Sequence, residues 1–425
     1  MPKFLAIIVL SGILLSCNKE NPSIVLPTIS TSEVTDVEAF TATGGGTVAE
    51  SGDSELLAIG IVVGETPGAT INDGLVTETK VKVLGAFTVT INALRSNTTY
   101  YLRAFATNSA GTAYGEEKIF NTVQAIPTSL EFTMLTTIKG YNFTQAIGLE
   151  GSETLQSLFL ANRQIDPSVG IQYERLYRYD LLNNSSAILF NPIVDFISKE
   201  IQIIDNQIIV IGADYVSTYE FDLESPPVVV PHNLSFTRHG SGQWNGVIYA
   251  YGGDRLGVDS DKIWRWDVAG SNFVLEAAMP TAKSYAGGEV VNDKLYIFGG
   301  QKEFSGTLHD DIIYAYDFIT KTINTYHLPI AMYRTFTAKV GNLIYLAGHI
   351  NPTGSDNTDI IFVVFDTSTN QFTEININLS DAEGASIWAM TAIGNDLYVV
   401  YGDPINDIDQ LTLEQTFTIQ KAAIP

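Results

Sequence analysis

The chain is poor in cysteine and in positive charge. Cys17 is the only cysteine among 425 residues. If Cys17 has another role, no thiol remains for disulfide bonds, thiolate metal sites or a cysteine nucleophile. Lys and Arg number 23 against 47 Asp and Glu, which gives a formal net charge of −24. Nucleic-acid binding depends on neutralising phosphates, so DNA and RNA are not expected partners of so acidic a chain.

Several catalytic and metal-binding motifs are also missing. The two loops richest in acids, residues 259–261 and 406–409, do not follow the EF-hand pattern, so they read as solvated loops. Neither a Gly-x-Ser-x-Gly elbow nor a phosphate-binding loop occurs. No His-Glu-x-x-His spacing occurs among the five histidines, which are His232, His239, His309, His327 and His349. We therefore predict no metal and no cofactor.

Long apolar runs are absent as well, and a transmembrane helix needs about 20 such residues. The run from residue 4 to 15 is shorter, follows Lys3 and leads into Ser16 and Cys17. A basic start, a short apolar core and a small residue before the cleavage point are typical of a secretory signal. Leu14-Leu15-Ser16-Cys17 resembles the lipobox of bacterial lipoproteins. That resemblance implies cleavage before Cys17 and attachment of lipid to its sulfur.

The alternative is an ordinary signal peptide followed by a chance cysteine. On the lipoprotein interpretation, residues 1–16 are the signal peptide and residues 17–25 form a lipidated tether. The protein then contacts the membrane through Cys17. We expect it at the outer membrane, on either the periplasmic or the cell-surface side.

Residues 26–123 have the composition of strands. Runs such as 57–63 and 87–91 are rich in β-branched and aromatic residues, and Gly, Asn, Asp and Pro separate the runs. About seven short strands in about 100 residues predict a β-sandwich. Residues 94–104, Leu-Arg-Ser-Asn-Thr-Thr-Tyr-Tyr-Leu-Arg-Ala, resemble the fibronectin type III pattern. The resemblance implies that Tyr100 forms a tyrosine corner, with its hydroxyl bonded to nearby backbone.

Residues 128–425 repeat two elements in a fixed order. The first is an apolar strand that ends in small residues, as in residues 295–300, and it follows Asn, Asp or Gly turn residues. The second is an aromatic or apolar residue before an acid, as in Trp266-Asp267. The copies recur at about 40–50 residues, the period of four-stranded propeller blades. We expect each aspartate to accept backbone N–H groups in the turn that follows it.

The pattern Asn-x-Leu-Tyr-x-x-Gly-Gly followed by Tyr-x-Tyr-Asp resembles the kelch repeat. We therefore expect an all-β protein with a fibronectin type III-like β-sandwich over 26–123. A six-bladed kelch-like β-propeller would follow over 128–425, its blade count uncertain by one. Residues 130–134 are expected to supply an outer strand to the last blade.

Basic residues recur just before the first strand of three blades, and aromatic residues occupy similar positions. The basic residues predict a ring of positive charge that receives an anionic group, such as the carboxylate of an acidic sugar. The alternative is that they pair with acids or carbonyls of neighbouring blades. The aromatic residues would stack on a sugar or fill the mouth of the channel. The candidate ligand-binding residues are Arg238, His239, Lys283, Tyr285, Tyr333, Arg334 and Trp388.

These features favour a non-catalytic binding protein whose partner is a glycan or a cell-surface protein. The alternative is an enzyme that acts on acidic sugars, because propellers that resemble kelch proteins include a sialic acid mutarotase and polysaccharide lyases. A third possibility, a structural subunit of a membrane complex, predicts a large apolar patch. No residue of the sequence is assigned a catalytic role. One axial pocket that combines Arg238, Arg334, a tyrosine and a carboxylate would favour the enzyme.

Overall fold

A computed structural model describes much of the chain after residue 24, with gaps between the ranges. The described residues are 25–72, 74–79, 82–141, 148–165, 172–190, 200–221, 225–301, 310–350, 360–379, 386–402 and 414–425. Cys17 and most of the predicted tether lie outside these ranges. The chain divides into two compact units, Met1–Val123 and Gln124–Pro425.

The prediction of an all-β protein is confirmed. The described residues form strands and turns, and no α-helix occurs among them. Correspondingly, no helix in the described ranges is long and apolar enough to cross a membrane.

The first unit contains two antiparallel sheets. One has the strand order β1-β2-β5, and the other has the order β4-β3-β6-β7, with β8 paired to β6. Apolar side chains such as Ile61 and Leu102 are fully buried in the core of this unit. The strands are β1 (Thr28–Thr31), β2 (Ala42–Glu50), β3 (Ala58–Gly64), β4 (Leu75–Glu78), β5 (Gly85–Ile91), β6 (Thr99–Asn108), β7 (Gly111–Tyr114) and β8 (Lys118–Asn121).

The contact predicted for Tyr100 is confirmed. The backbone N–H of Arg95 donates a hydrogen bond to the Tyr100 hydroxyl at 2.8 Å. The Tyr100 ring is buried and stacks on Phe120, with 5.6 Å between the ring centroids. The hydroxyl thus accepts a hydrogen bond from the Arg95 N–H, a backbone donor that has no partner within the described sheets.

The second unit contains the remaining strands. The first of them are β9 (Ser129–Glu131), β10 (Thr133–Tyr141), β11 (Gly148–Ser152), β12 (Ser157–Ile165), β13 (Gln172–Asp180), β14 (Ser185–Phe190), β15 (Glu200–Ile204), β16 (Gln207–Ile211), β17 (Tyr215–Glu220), β18 (Val228–Pro231), β19 (Thr237–Trp244), β20 (Val247–Arg255), β21 (Val258–Asp259) and β22 (Lys262–Asp267). The others are β23 (Asn272–Ala278), β24 (Gly287–Val291), β25 (Lys294–Phe298), β26 (Asp310–Asp317), β27 (Ile323–Val340), β28 (Leu343–His349), β29 (Ile360–Asp366), β30 (Gln371–Glu374), β31 (Asn376–Asn378), β32 (Ser386–Ile393), β33 (Asp396–Gly402) and β34 (Glu414–Ala423).

Within the described residues, these strands form six antiparallel groups of four, which we number first to sixth sheet. They are β11–β14, β15–β18, β19-β20-β22-β23, β24–β27, β27–β30 and β32-β33-β34-β10. The 18-residue strand β27 is shared, because its two halves pair with β26 and with β28. The sixth sheet takes its outer strand from the start of the unit, since β10 pairs with β34.

That outer strand begins at Thr133, slightly later than predicted, and runs on to Tyr141. Leu130 and Glu131 belong instead to β9, which pairs in parallel with β31.

The first strands of the six sheets contact one another in cyclic order. The contacting pairs are β11 with β15, β15 with β19, β19 with β24, β24 with β27, β27 with β32, and β32 with β11. Apolar side chains fill the space between neighbouring sheets, as Tyr249, Leu295 and Tyr316 do between the third and the fourth. Each sheet therefore buries its faces against two neighbours.

The predicted roles are confirmed for two of the repeated turn asparagines and for three of the repeated aspartates. Asn245 and Asn292 have positive φ angles of 50° and 48°, as tight hairpin turns require. Asp180, Asp317 and Asp366 each accept hydrogen bonds from backbone N–H groups two or three residues ahead. These aspartates stabilise turns, so they are structural residues.

Candidate functional site

A cavity of about 300 Å³ lies among the first strands of the six sheets. It is lined by residues of β11, β15, β19, β24, β27 and β32. Consecutive residues of the first strands line it, for example Glu200 to Ile203 of β15 and Gly287 to Val290 of β24. The polar groups of the cavity therefore come from six separate sheets.

Three side chains form a stack where the first strands of the third, fourth and fifth sheets begin. The guanidinium carbons of Arg238 and Arg334 lie 5.1 and 5.0 Å from the ring centroid of Tyr285. Each of the three residues stands the same number of residues before the hairpin turn of its sheet. Cation–π attraction holds each guanidinium against the ring. We call this group the Arg–Tyr–Arg stack.

The backbone of the Arg–Tyr–Arg stack is left-handed at all three positions. The φ angles of Arg238, Tyr285 and Arg334 are 57°, 56° and 48°. The Tyr285 N–H donates to the Arg238 carbonyl at 2.9 Å, and the Thr335 N–H donates to the Tyr285 carbonyl at 3.1 Å. These hydrogen bonds connect three neighbouring sheets. Such conformations cost non-glycine residues on the order of 1–3 kcal/mol and concentrate at functional sites.

Arg238 also forms an ion pair within its own sheet. One guanidinium nitrogen of Arg238 lies 3.0 Å from a carboxylate oxygen of Asp254, which is 4% exposed. The Thr237 hydroxyl donates to the same carboxylate oxygen at 2.6 Å. Arg238 thus pairs with an acid, but with one of its own sheet and not of a neighbouring one. The pair fixes the guanidinium beside Tyr285.

Lys283 does not join the stack. Its side chain is fully buried, and its ammonium lies 2.9 Å from the Asp310 carboxylate. The ammonium also donates to the carbonyl oxygens of Gly299 and Ile312, at 2.9 and 2.6 Å. Lys283 stands two residues before Tyr285, and these contacts place its side chain in the core. This placement does not fit the ligand contact predicted for Lys283.

The two buried histidines near the cavity add no positive charge. Burial lowers the pKa of His239 to about 3, and its ring lies 4.1 Å from the ring of Phe236, centroid to centroid. Burial, with a smaller contribution from the nearby positive charge of Arg334, lowers the pKa of His349 to about 4. Both imidazoles are neutral at pH 7, which corrects the expectation that His239 belongs to a cationic ring.

Trp388 and Tyr333 are the remaining predicted residues. Trp388 lines the cavity but is 9% exposed. Its indole packs edge-on against Phe417, with 6.1 Å between the ring centroids. Little of the Trp388 ring is therefore open to stack on a sugar. The backbone of Tyr333 lies in β27 and pairs with His349, and the side chain of Tyr333 lies outside the described part of the structure.

Three glutamates that no sequence pattern had indicated also line the cavity. Glu150, Glu200 and Glu289 come from β11, β15 and β24. Burial raises the pKa of Glu150 and of Glu200 to about 8, and it raises the pKa of Glu289 as well. Mutual repulsion adds to the increase for Glu150 and Glu200, whereas the charge of Lys339 lowers the pKa of Glu150 and Glu289.

Hydrogen bonds orient two of these carboxyl groups. Glu200 bonds with Ser241 of the third sheet, and Glu289 bonds with Thr337 of the fifth. The one sequence signal that could have found the glutamates is an acid within a short first strand of small and apolar residues. Gly288-Glu289-Val290 and Leu149-Glu150-Gly151 have this form. At neutral pH a carboxyl group with a pKa of about 8, such as that of Glu200, can both donate and accept hydrogen bonds.

Most residues of the long loops that follow the second strands, 301–311, 350–359 and 403–409, lie outside the described residues. The loop between Asp254 and Lys262 is described, and it contains the short strand β21. Within the described ranges, no group of three or more His, Cys, Asp or Glu side chains is placed to hold a metal ion.

No protein-family model matches the chain, and no curated protein sequence matches it. Among solved structures, the structure of YjhT shows a partial similarity to this chain. It is 13% identical, the match covers 66% of this chain and 95% of that chain, and the TM-score is 0.46. This likeness is too weak to support an argument about fold or function.

Proposed function

We propose that the chain is a lipid-anchored outer-membrane protein whose second unit is a closed six-bladed kelch-like propeller. The cyclic contacts among first strands support the closed arrangement, as does the outer strand that β10 lends to the sixth sheet. The first unit serves as a fibronectin type III-like spacer, an assignment supported by the backbone contact of Tyr100. The lipobox-like residues before Cys17 support the anchor.

We further propose that the cavity binds a small acidic sugar. The Arg–Tyr–Arg stack carries this proposal, because two guanidinium groups at one place offer paired donors to a carboxylate. A charge-assisted hydrogen bond contributes about 1.5–3 kcal/mol, enough to discriminate an acidic sugar from a neutral one. The glutamates deeper in the cavity supply donors and acceptors for hydroxyl groups.

Isothermal titration calorimetry on the detergent-solubilised full-length lipoprotein tests this function. The probes are D-glucuronate and D-glucose at neutral pH. We expect D-glucuronate to bind more tightly, and Arg334→Ala to weaken that binding at least tenfold, because one charge-assisted contact is lost. The control is Lys321→Ala, which removes a cation that pairs with Glu276 outside the cavity lining.

Equal binding of the two sugars would contradict a carboxylate site in the cavity. Binding of neither sugar would contradict the acidic-sugar proposal and favour a cell-surface protein as the partner.

A second candidate function is catalysis on an acidic sugar, mutarotase-like or lyase-like. The observation that favours it is the meeting of the stack with Glu150, Glu200 and Glu289 in one cavity. A general acid or base works best with a pKa near the operating pH, and burial raises the pKa of Glu150 and Glu200 to about 8.

Exchange NMR on D-glucuronate detects anomer interconversion, and ultraviolet absorbance on an acidic oligosaccharide detects lyase products. Catalysis predicts turnover in one assay that Glu200→Gln or Glu289→Gln reduces at least a hundredfold. Binding without turnover in both assays would reject catalysis and leave the binding function standing.

A further inference from the structure

Gly240 and Gly288 leave room for the side chain of Tyr251 beside the cavity. Tyr251 belongs to β20, the second strand of the third sheet, and pairs with Gly240 of β19. A side chain at position 240 would begin 2.3 Å from the Tyr251 ring, and one at position 288 would begin 2.5 Å from the Tyr251 hydroxyl oxygen. The ring therefore fills the space that glycine leaves open in two neighbouring first strands. Tyr251 lines the cavity although it is 1% exposed.

Two glutamates from other sheets, Glu200 and Glu289, lie near enough to Tyr251 for their charges to act on it. Burial raises the pKa of Tyr251 well above its ordinary value, and the charges of Glu200 and Glu289 raise it further. The phenol thus keeps its proton over the whole physiological range. Glu200 comes from the second sheet and Glu289 from the fourth, and both line the cavity together with Tyr251. We call the three residues the Tyr–Glu wall.

Packing alone does not call for a tyrosine at this position. The residues at the same pairing position are Phe298 in the fourth sheet and Ala347 in the fifth, which pair with Gly287 and Phe336 of the first strands. Both are fully buried and apolar. A phenylalanine would fill the space at residue 251, so the hydroxyl needs another explanation.

We propose that the Tyr–Glu wall is a second subsite, which binds a hydroxyl group of the ligand whose anionic group the Arg–Tyr–Arg stack holds. This inference rests on the proposed function and narrows it to hydroxylated anions. A phenol with neighbouring carboxyl groups both donates to and accepts from an alcohol. A simple carboxylate of the same ring size would use the stack alone.

Calorimetry with two probes tests the subsite. D-glucuronate carries a ring carboxylate and hydroxyl groups, whereas tetrahydropyran-2-carboxylate carries the ring carboxylate alone. We expect the wild-type protein to prefer D-glucuronate, and Tyr251→Phe to reduce that preference about two- to tenfold, since one uncharged hydrogen bond is lost. Affinity for tetrahydropyran-2-carboxylate should stay within about twofold of wild type.

The matched control is Tyr345→Phe. Tyr345 is also a fully buried tyrosine of a second strand, and its hydroxyl has no hydrogen-bond partner among the described residues. It does not line the cavity. Tyr345→Phe should leave the affinity for both probes unchanged, so any general effect of a lost buried hydroxyl would be detected.

A second measurement needs no ligand. Infrared spectroscopy follows the carbonyl band of protonated carboxylic acids as the pH rises. We expect Tyr251→Phe to change the pH at which this band disappears, because a protonated hydroxyl that lines the same cavity can donate a hydrogen bond to an ionised carboxylate and so stabilise it. Tyr345→Phe should not change it.

The outcomes separate the subsite from the proposed function. If the wild-type protein binds both probes equally, or Tyr251→Phe leaves both the preference and the infrared titration unchanged, the subsite is wrong and the anion site stands. If neither probe binds the wild-type protein, the proposed function fails and the ligand subsite with it.

Discussion

Lys283 and Arg334 are both cations placed just before the first strand of a sheet, and the structure uses them in opposite ways. Lys283 is sealed in the core, with its ammonium bound to Asp310 and to two carbonyl oxygens. Arg334 lines the cavity and stacks on Tyr285. The two cations differ in environment because they occupy different positions relative to the first strands of their sheets.

Lys283 stands two residues before Tyr285, as Phe236 does before Arg238 and Met332 before Arg334. Phe236 and Met332 are buried in the apolar clusters between sheets. The position of Lys283 is therefore a core position that carries a charge, whereas the positions of the stack face the cavity. A basic residue near the start of a strand is evidence for a binding site only when its register is known.

The largest expected effect comes from Lys283→Met, which copies the residue that the fifth sheet has at this position. The change leaves the Asp310 carboxylate buried without its counter-ion. We expect the free energy of unfolding to fall by about 3–5 kcal/mol, measured by urea denaturation.

Neutralising the partner as well, in Lys283→Met/Asp310→Asn, should recover a large part of that loss. A loss below about 1 kcal/mol for Lys283→Met would contradict a structural role for the pair and reopen Lys283 as a ligand contact.

The cavity glutamates should make stability depend on pH. An unfolded glutamate loses its proton near pH 4.5, whereas Glu200 keeps its proton until about pH 8. Between these values the folded state binds more protons, so the free energy of unfolding falls as the pH rises, by at most about 1.4 kcal/mol per pH unit for each such group.

Glu200→Gln should flatten this fall between about pH 5 and pH 8 in urea denaturation. Glu276→Gln serves as the control, because the pKa of Glu276 is lowered and its contribution to stability is already complete in this range. An unchanged slope in Glu200→Gln would mean that this carboxyl group is ionised in the folded protein.

Arg334→Gly should separate binding from stability. Affinity for D-glucuronate should fall at least tenfold, because one of the two guanidinium groups is lost. The free energy of unfolding should stay within about 1 kcal/mol of wild type, since glycine relieves the strain of a φ of 48° while the cation–π contact is lost.

Calorimetry and urea denaturation measure the two effects of Arg334→Gly on the same sample. A loss of stability as large as that of Lys283→Met would mean that Arg334 is also a structural cation.

The smallest expected effect is a loss of stability in the first unit. It measures the contribution of one hydrogen bond between uncharged groups. Tyr100→Phe removes the acceptor of the Arg95 N–H. We expect a loss of about 0.5–1.5 kcal/mol in the unfolding of this unit, measured by urea denaturation. Binding of D-glucuronate should not change, and a change would contradict the assignment of Tyr100 to a purely structural role.

Local patterns in the sequence predicted much of the architecture. Strand runs, turn residues and the aspartates after the third strands depend on neighbours close in the chain, and they appear in the structure as expected. Of the residues that line the cavity, Arg238, Tyr285 and Arg334 were named from the sequence. Glu150, Glu200, Glu289 and Tyr251 were not, since each is ordinary within its own strand.

The sequence by itself determined that the protein is all-β, where its hairpins turn and that Tyr100 bonds to nearby backbone, because these properties depend on short-range periodicity and turn chemistry. Only the tertiary structure decided which polar groups share a cavity. Six first strands each contribute a few residues to the lining, and three of these strands bring a glutamate into the cavity. A shift of two residues along the chain separates a buried lysine from a cavity tyrosine, and Tyr251 reaches the cavity only because glycines of two different sheets leave it room.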